Sequence, residues 1–121
     1  MVLFDAHSIR SQVPSLFDGE LPALNIGTGG GTSCDPALAE RLFTIAKQSP
    51  YSAVMNDRFK GGYITRQYGK PDAGCHAIQL EMAQRCYMRE ERPFDYLPEE
   101  AAQVQREVLR PMLEALVDWV S

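Results

Sequence analysis

The chain has 121 residues, of which 45% are hydrophobic, enough for one compact core that buries about two thirds of the unfolded surface. Its net charge of −4 argues against a nucleic-acid binder, and no run approaches the ~18 apolar residues of a membrane span. The N-terminus lacks the basic and apolar regions of a signal peptide; Cys34, Cys75 and Cys86, odd in number and without a CxxC pair, suit free thiols in a reducing, cytoplasmic setting.

In chain order, Val2 to Ala6 reads as a strand, Pro14 to Pro22 as turn and loop, and Leu24 to Ile26 as a second short strand ending in Gly27. A glycine-rich loop leads into a helix that begins around Asp35 and Pro36. Leu38, Leu42, Phe43, Ile45 and Ala46 recur there at helical spacing until Ser49 and Pro50. Ser52 to Met55, Gly62 to Arg66 and Ala77 to Glu81 read as three further strands, on their β-branched and aromatic content. The tail from Pro98 to Val120 carries Val104, Val108, Met112, Leu116 and Val120 at four-residue spacing, with Glu99 and Glu100 at its positive end. Pro111 should bend or divide that helix.

This order predicts a single α/β domain over residues 1–121, with a mixed, mostly buried sheet flanked by helices. Ligand-binding groups in such sheets gather beyond the carboxyl ends of the strands. Asp5, His7, Ser8 and Arg10 are expected just past one such end, and Glu81, closing "AIQLE", at another.

His7 is a candidate metal ligand or general base, or else a hydrogen-bonded histidine at a strand end. His76, at the start of a strand with no obvious partner, reads as structural or as a minor alternative to His7. Glu81 interrupts "HAIQLEMA", where alternation sets Ile78, Leu80 and Met82 on one face and Ala77, Gln79 and Glu81 on the other. A carboxylate on a buried strand is costly unless paired or working. The loop in "GTGGGTSCDPALAERL" could cradle an anion, but it lacks the P-loop lysine and does not match GxGxxG, so a plain turn into a capped helix is the simpler reading. "NDRFKGGYITRQYGKP" offers Arg58, Lys60 and Arg66 with Tyr63 and Tyr68, either as an anion-binding rim or as a solvated β-hairpin. Arg66 ranks first among them because it follows a short apolar run. "REERP", residues 89–93, reads as a solvated loop.

"LFDAHSIRS", "LNIGTGGGTSCDPALAERL", "NDRFKGGYITRQYGKP" and "HAIQLEMAQRCYM" together resemble, in order and through nearly the whole chain, the C-terminal half of the N-formylglutamate amidohydrolase family. The resemblance implies the C-terminal part of a fold shared with zinc carboxypeptidases and aspartoacylase-type deacylases. It further implies that His7 is a zinc ligand and Glu81 the general base. Arg66, then Arg10 and Arg58, would grip the substrate's carboxylates, with Asn56 also in the substrate-binding set. The implied reaction is hydrolysis of N-formyl-L-glutamate to formate and L-glutamate, late in histidine breakdown, with zinc activating the water.

The chain departs from that pattern in two ways. It contains no HxxE motif to supply the other zinc ligands, and Gln67 stands where family members often have histidine. A catalytic zinc needs three protein ligands, so the chain is expected to be a part of the hydrolase, inactive alone. It is then expected to pair with the missing N-terminal half or to self-associate through an exposed edge and apolar surface. The alternative is a catalytically silent α/β binding or scaffold module holding a small dicarboxylate.

Overall fold

In the computed structural model, which describes residues 1–121, β1 runs from Val2 to Ile9. Asp5, His7 and Ser8 therefore lie within a strand and only Arg10 follows its end, in place of the expected break after Ala6. The polar residues are tolerated because β1 is an edge strand that pairs on one side only, leaving part of its surface in water.

With β2 (Leu24–Gly27), β3 (Ala53–Met55) and β4 (His76–Ala83) it forms a four-stranded sheet in the order β1-β4-β2-β3. β1 runs parallel to β4 and β2 parallel to β3, whereas β2 and β4 are antiparallel, so the sheet is mixed. Every residue of β4 after His76 is buried.

The alternation read from "HAIQLEMA" sorts the sheet into two faces of opposite character. On one, Ile78, Leu80 and Met82 join Leu24 and Ile26 in a core of 17 buried residues. Helix α1 (Pro36–Gln48) covers that face with Leu38, Ala39, Leu42 and Ala46. Pro36 opens this helix as expected, and the Asp35 carboxylate caps it by accepting from the Ala37 N–H at 2.8 Å.

The tail also packs on the apolar face, as α3 (Pro98–Val104) and α4 (Arg110–Val120) joined by a π-helical stretch, Gln105–Leu109. There the Arg110 N–H reaches back five residues to the Gln105 carbonyl. This widened turn sits immediately before Pro111, whose ring would otherwise press on the carbonyl four residues earlier. Val104, Val108, Met112 and Leu116 are buried as their spacing predicts; Val120, the last of the series, is 55% exposed.

Three further readings are corrected. Gly62 to Arg66 is not a strand, and the surrounding stretch is not a hairpin: Tyr63–Tyr68 forms the short helix α2. Fully buried Thr65 holds its turn by donating from Oγ1 to the Gly62 carbonyl at 2.9 Å, so packing overrides the strand propensity of the β-branched pair. His76 does have partners: its Nδ1 accepts from the Asp35 N–H at 2.9 Å and its ring meets Trp119 edge to face, which supports the structural reading. In "REERP", Glu90 is tied down rather than solvated, accepting from the backbone N–H and the hydroxyl of Ser11.

Candidate active site on the polar face

The polar face takes its geometry from register. His7 on β1 lies opposite Glu81 on β4, and Glu81 lies opposite Asn25 on β2. Paired residues on adjacent strands point to the same face, so three polar side chains from three strands form one row across the sheet. A second row beside it holds Asp5, Gln79 and Gly27. His7 and Glu81, 74 positions apart in the chain, are thus brought together on one surface.

Glu81 is only 8% exposed, yet its carboxylate accepts no hydrogen bond and joins no ion pair within the protein. Desolvation by burial raises its pKa above the ordinary carboxylate value. The nearby His7 imidazole opposes that rise and the Asp5 carboxylate adds to it. A buried carboxyl with enhanced proton affinity and no protein donor is the chemistry of a general base or acid.

His7 is oriented by Asp5, whose Oδ1 lies 2.8 Å from Nε2. This contact leaves Nδ1 free, the arrangement in which a carboxylate steadies a metal-binding imidazole through its other nitrogen. Asp5 was missed as a site residue, although two-residue spacing from His7 on a strand was a sufficient signal for a shared face. For zinc the donor set is partial: His7 suits the role of one ligand, and no group of three or more His, Cys, Asp and Glu side chains is arranged to hold a metal ion. A complete site would need donors from outside these 121 residues.

The three candidate arginines are all exposed and none joins an ion pair: Arg10 just after β1, Arg58 in the loop before α2, and Arg66 on α2. Helix α2 packs on β4 and β1, which puts Arg66 on the element that covers the polar face. Asn56, in contrast, has its amide committed to the glycine loop. Its Oδ1 accepts from the N–H groups of Thr28 and Gly30, and its Nδ2 donates to Thr28 Oγ1 at 2.7 Å. The loop's N–H groups from Thr28 to Ser33 are all bonded internally, so the simple-turn reading of "GTGGG" holds and no anion cradle is present.

Two buried amides also flank Glu81. Asn25 is 1% exposed; its Nδ2 donates to the carbonyls of Pro22 and Glu81, while its Oδ1 is the one buried side-chain polar atom without a partner. Gln79 is fixed through Oε1, which accepts from the Gly62 N–H at 3.0 Å. A cavity of about 880 Å³ opens on the opposite, apolar face between β1 and the α3–α4 arm, and touches the site only at His7.

The chain is similar to known proteins in sequence and in fold. N-formylglutamate deformylases of Pseudomonas aeruginosa and Pseudomonas putida are each 56% identical over 119 residues, an alignment that covers 98% of this chain and 44% of theirs. The chain therefore spans less than half the length of these relatives. The crystal structure of an N-formylglutamate amidohydrolase from Ralstonia eutropha JMP134 matches with a TM-score of 0.75 at 22% identity, over 94% of this chain and 42% of that one, which supports the fold. Residues 1–88, well over half of the chain, match the N-formylglutamate amidohydrolase family model, and the chain belongs to this family.

Proposed function

We propose that the chain supplies part of the active site of a zinc-dependent amidohydrolase that splits N-formyl-L-glutamate into formate and L-glutamate. The observation that carries this reading is the row itself: a buried carboxylate without protein donors, directly opposite an imidazole whose free nitrogen is set by a second carboxylate. The deformylase names of the Pseudomonas relatives support the substrate class.

In the reaction, water adds to the formyl carbon and the C–N bond breaks. Glu81 accepts a proton from the attacking water and passes it to the departing amine, a role worth about 10²- to 10⁴-fold in rate. Burial, by raising the proton affinity of Glu81, favours the uptake step. His7 serves as one zinc ligand, steadied by Asp5. Zinc, when bound, contributes a lowered pKa of water, toward about 7, and polarisation of the carbonyl. Arg66, with Arg10 and Arg58, is available to the two substrate carboxylates because no protein acid neutralises it. Asn56 contributes by holding the glycine loop.

The remaining zinc donors would come from outside these 121 residues, from the region of the relatives that the alignment does not cover or from a second copy. The outer edge of β1 pairs with nothing, and the groove beside it exposes Leu113 and Val117 at 50% and 65%. The three free cysteines fit a cytoplasmic setting. The test is formate release from N-formyl-L-glutamate with added zinc, for this chain alone and combined with the remainder of a relative. Activity is expected only in the combination and is lost on Glu81→Gln. Activity that survives Glu81→Gln overturns the base assignment; no activity in any combination favours a silent binding module.

A further inference from the structure

Gln79 precedes Glu81 by two residues on β4 and shares its face. It is 8% exposed, and its orientation is fixed because Oε1 accepts the Gly62 N–H at 3.0 Å. The Nε2 group therefore points away from that contact, and it donates to no protein acceptor. It is not sealed in, since Asn25 Oδ1 is the one buried side-chain polar atom without a partner. A buried amide with a locked oxygen and two free N–H groups is a donor held ready for a ligand.

The neighbours of this donor decide what it can bind. Asp5 lies opposite Gln79 and Glu81 lies next on the same strand face, so two carboxylates flank the amide. A third carboxylate there would be repelled, whereas a neutral carbonyl oxygen would not. We infer that Gln79 Nε2 binds the formamide oxygen of the substrate, beside the carboxylate that activates the water, and that the substrate's own carboxylates are held elsewhere. Gln79 then directs the formyl group toward Glu81 and fixes its orientation for attack. This assignment rests on the proposed substrate class and adds the residue that recognises the reacting group.

The side-chain NH₂ signals of Gln79 in a ¹⁵N-resolved NMR spectrum of the full chain test the assignment. N-formyl-L-glutamate should shift them saturably, N-methylformamide should shift them at higher concentration, and glutarate should leave them in place. Gln79→Glu keeps an acceptor for the Gly62 N–H and removes the donor, so the Gly62 amide signal should report affinity for N-formyl-L-glutamate weakened about tenfold or more. If N-formyl-L-glutamate moves other signals but not those of Gln79, or if glutarate alone moves them, the role of Gln79 is refuted and the substrate class stands. If N-formyl-L-glutamate moves no signal in the chain, either alone or combined with the remainder of a relative, the substrate reading fails and takes this inference with it.

Discussion

Replacing Gly27 by alanine drives a methyl group into the backbone of the turn that precedes α2. An ideal Cβ at Gly27 would stand 2.5 Å from the Gly61 nitrogen and 2.7 Å from the Lys60 carbonyl carbon, so that turn must move by about 1 Å to restore ordinary contact. Overpacking of this kind costs about 1–3 kcal/mol. The displacement also strains two hydrogen bonds, Gly29 N–H to the Lys60 carbonyl at 2.7 Å and Gly62 N–H to Gln79 Oε1 at 3.0 Å, worth about 1 kcal/mol each. The expected loss is therefore about 3–5 kcal/mol, a large part of the 5–15 kcal/mol typical of a domain.

Gly30→Ala is the matched control. Its Cβ meets nothing within 4 Å, but the residue sits at φ +71°, where alanine costs about 1–2 kcal/mol. Urea unfolding reads both variants. At a slope of about 1–3 kcal/mol per molar urea, Gly27→Ala should lower the midpoint by at least about 1 M and by clearly more than Gly30→Ala does. A Gly27→Ala midpoint equal to or above that of Gly30→Ala would refute the idea that α2 is seated on the sheet through this close approach.

Glu81→Gln should stabilise the chain at about pH 8 and lose that advantage by about pH 4. Because the folded pKa of Glu81 is raised, its contribution is fully present below the unfolded carboxylate pKa and is lost as pH rises through the folded value. Melting curves showing the same difference at both pH values would contradict the raised pKa. Burial, reinforced by Asp35, pushes the Cys34 thiol up to about 11, and burial also raises Cys86. At about pH 8 a thiol reagent should therefore modify partly exposed Cys75 first and reach the other two on unfolding; prompt labelling of all three would count against this. Leu42→Ala, at a fully buried core position, should cost about 2–5 kcal/mol, whereas Arg41→Ala, beside it in sequence but in an exposed pair with Asp118, should cost under about 1 kcal/mol by chemical denaturation. Similar losses for the two would mean that α1 does not pack as described.

What the sequence disclosed divides along a physical line between local and long-range determinants. The faces of β4 were legible because period-two alternation is a property of the strand itself, and so were the start of α1 at Pro36 and the interruption near Pro111. The pairing of His7 with Glu81 was not legible from spacing, since register between residues 74 positions apart is set by the whole sheet. The strand-end rule placed both near the ligand-binding edge of the sheet, and family resemblance implied their joint role. Helix α2 was misread because "YITRQY" carries strand propensity, while the Thr65 contacts that keep it helical are formed only when the turn sits on the sheet. The buried amides beside Glu81 were hidden for the same reason. Asn25 looks like an ordinary residue in "LNIG", and its significance comes from an oxygen that the fold leaves without a donor.

That orphaned oxygen belongs to a wider asymmetry between the two sides of one sheet. The α1 and α4 side is filled with Leu24, Ile26, Ile78, Leu80 and Met82, residues that gain stability simply by leaving water. The other side, from the same two strands, carries a carboxylate without protein donors, an acceptor without a donor and an amide with unused N–H groups. Each such group costs about 1–3 kcal/mol if nothing completes it, and stability alone would favour apolar replacements. The amide orientations exclude a merely under-packed surface: Pro22 and Glu81 carbonyls fix Asn25, the Gly62 N–H fixes Gln79, and Asp5 fixes His7. Of these groups the Asn25 oxygen is sealed in, whereas the Glu81 carboxylate and the Gln79 N–H groups are held with valences open to the surface, as the proposed site requires, and the apolar face supplies the stability that allows it.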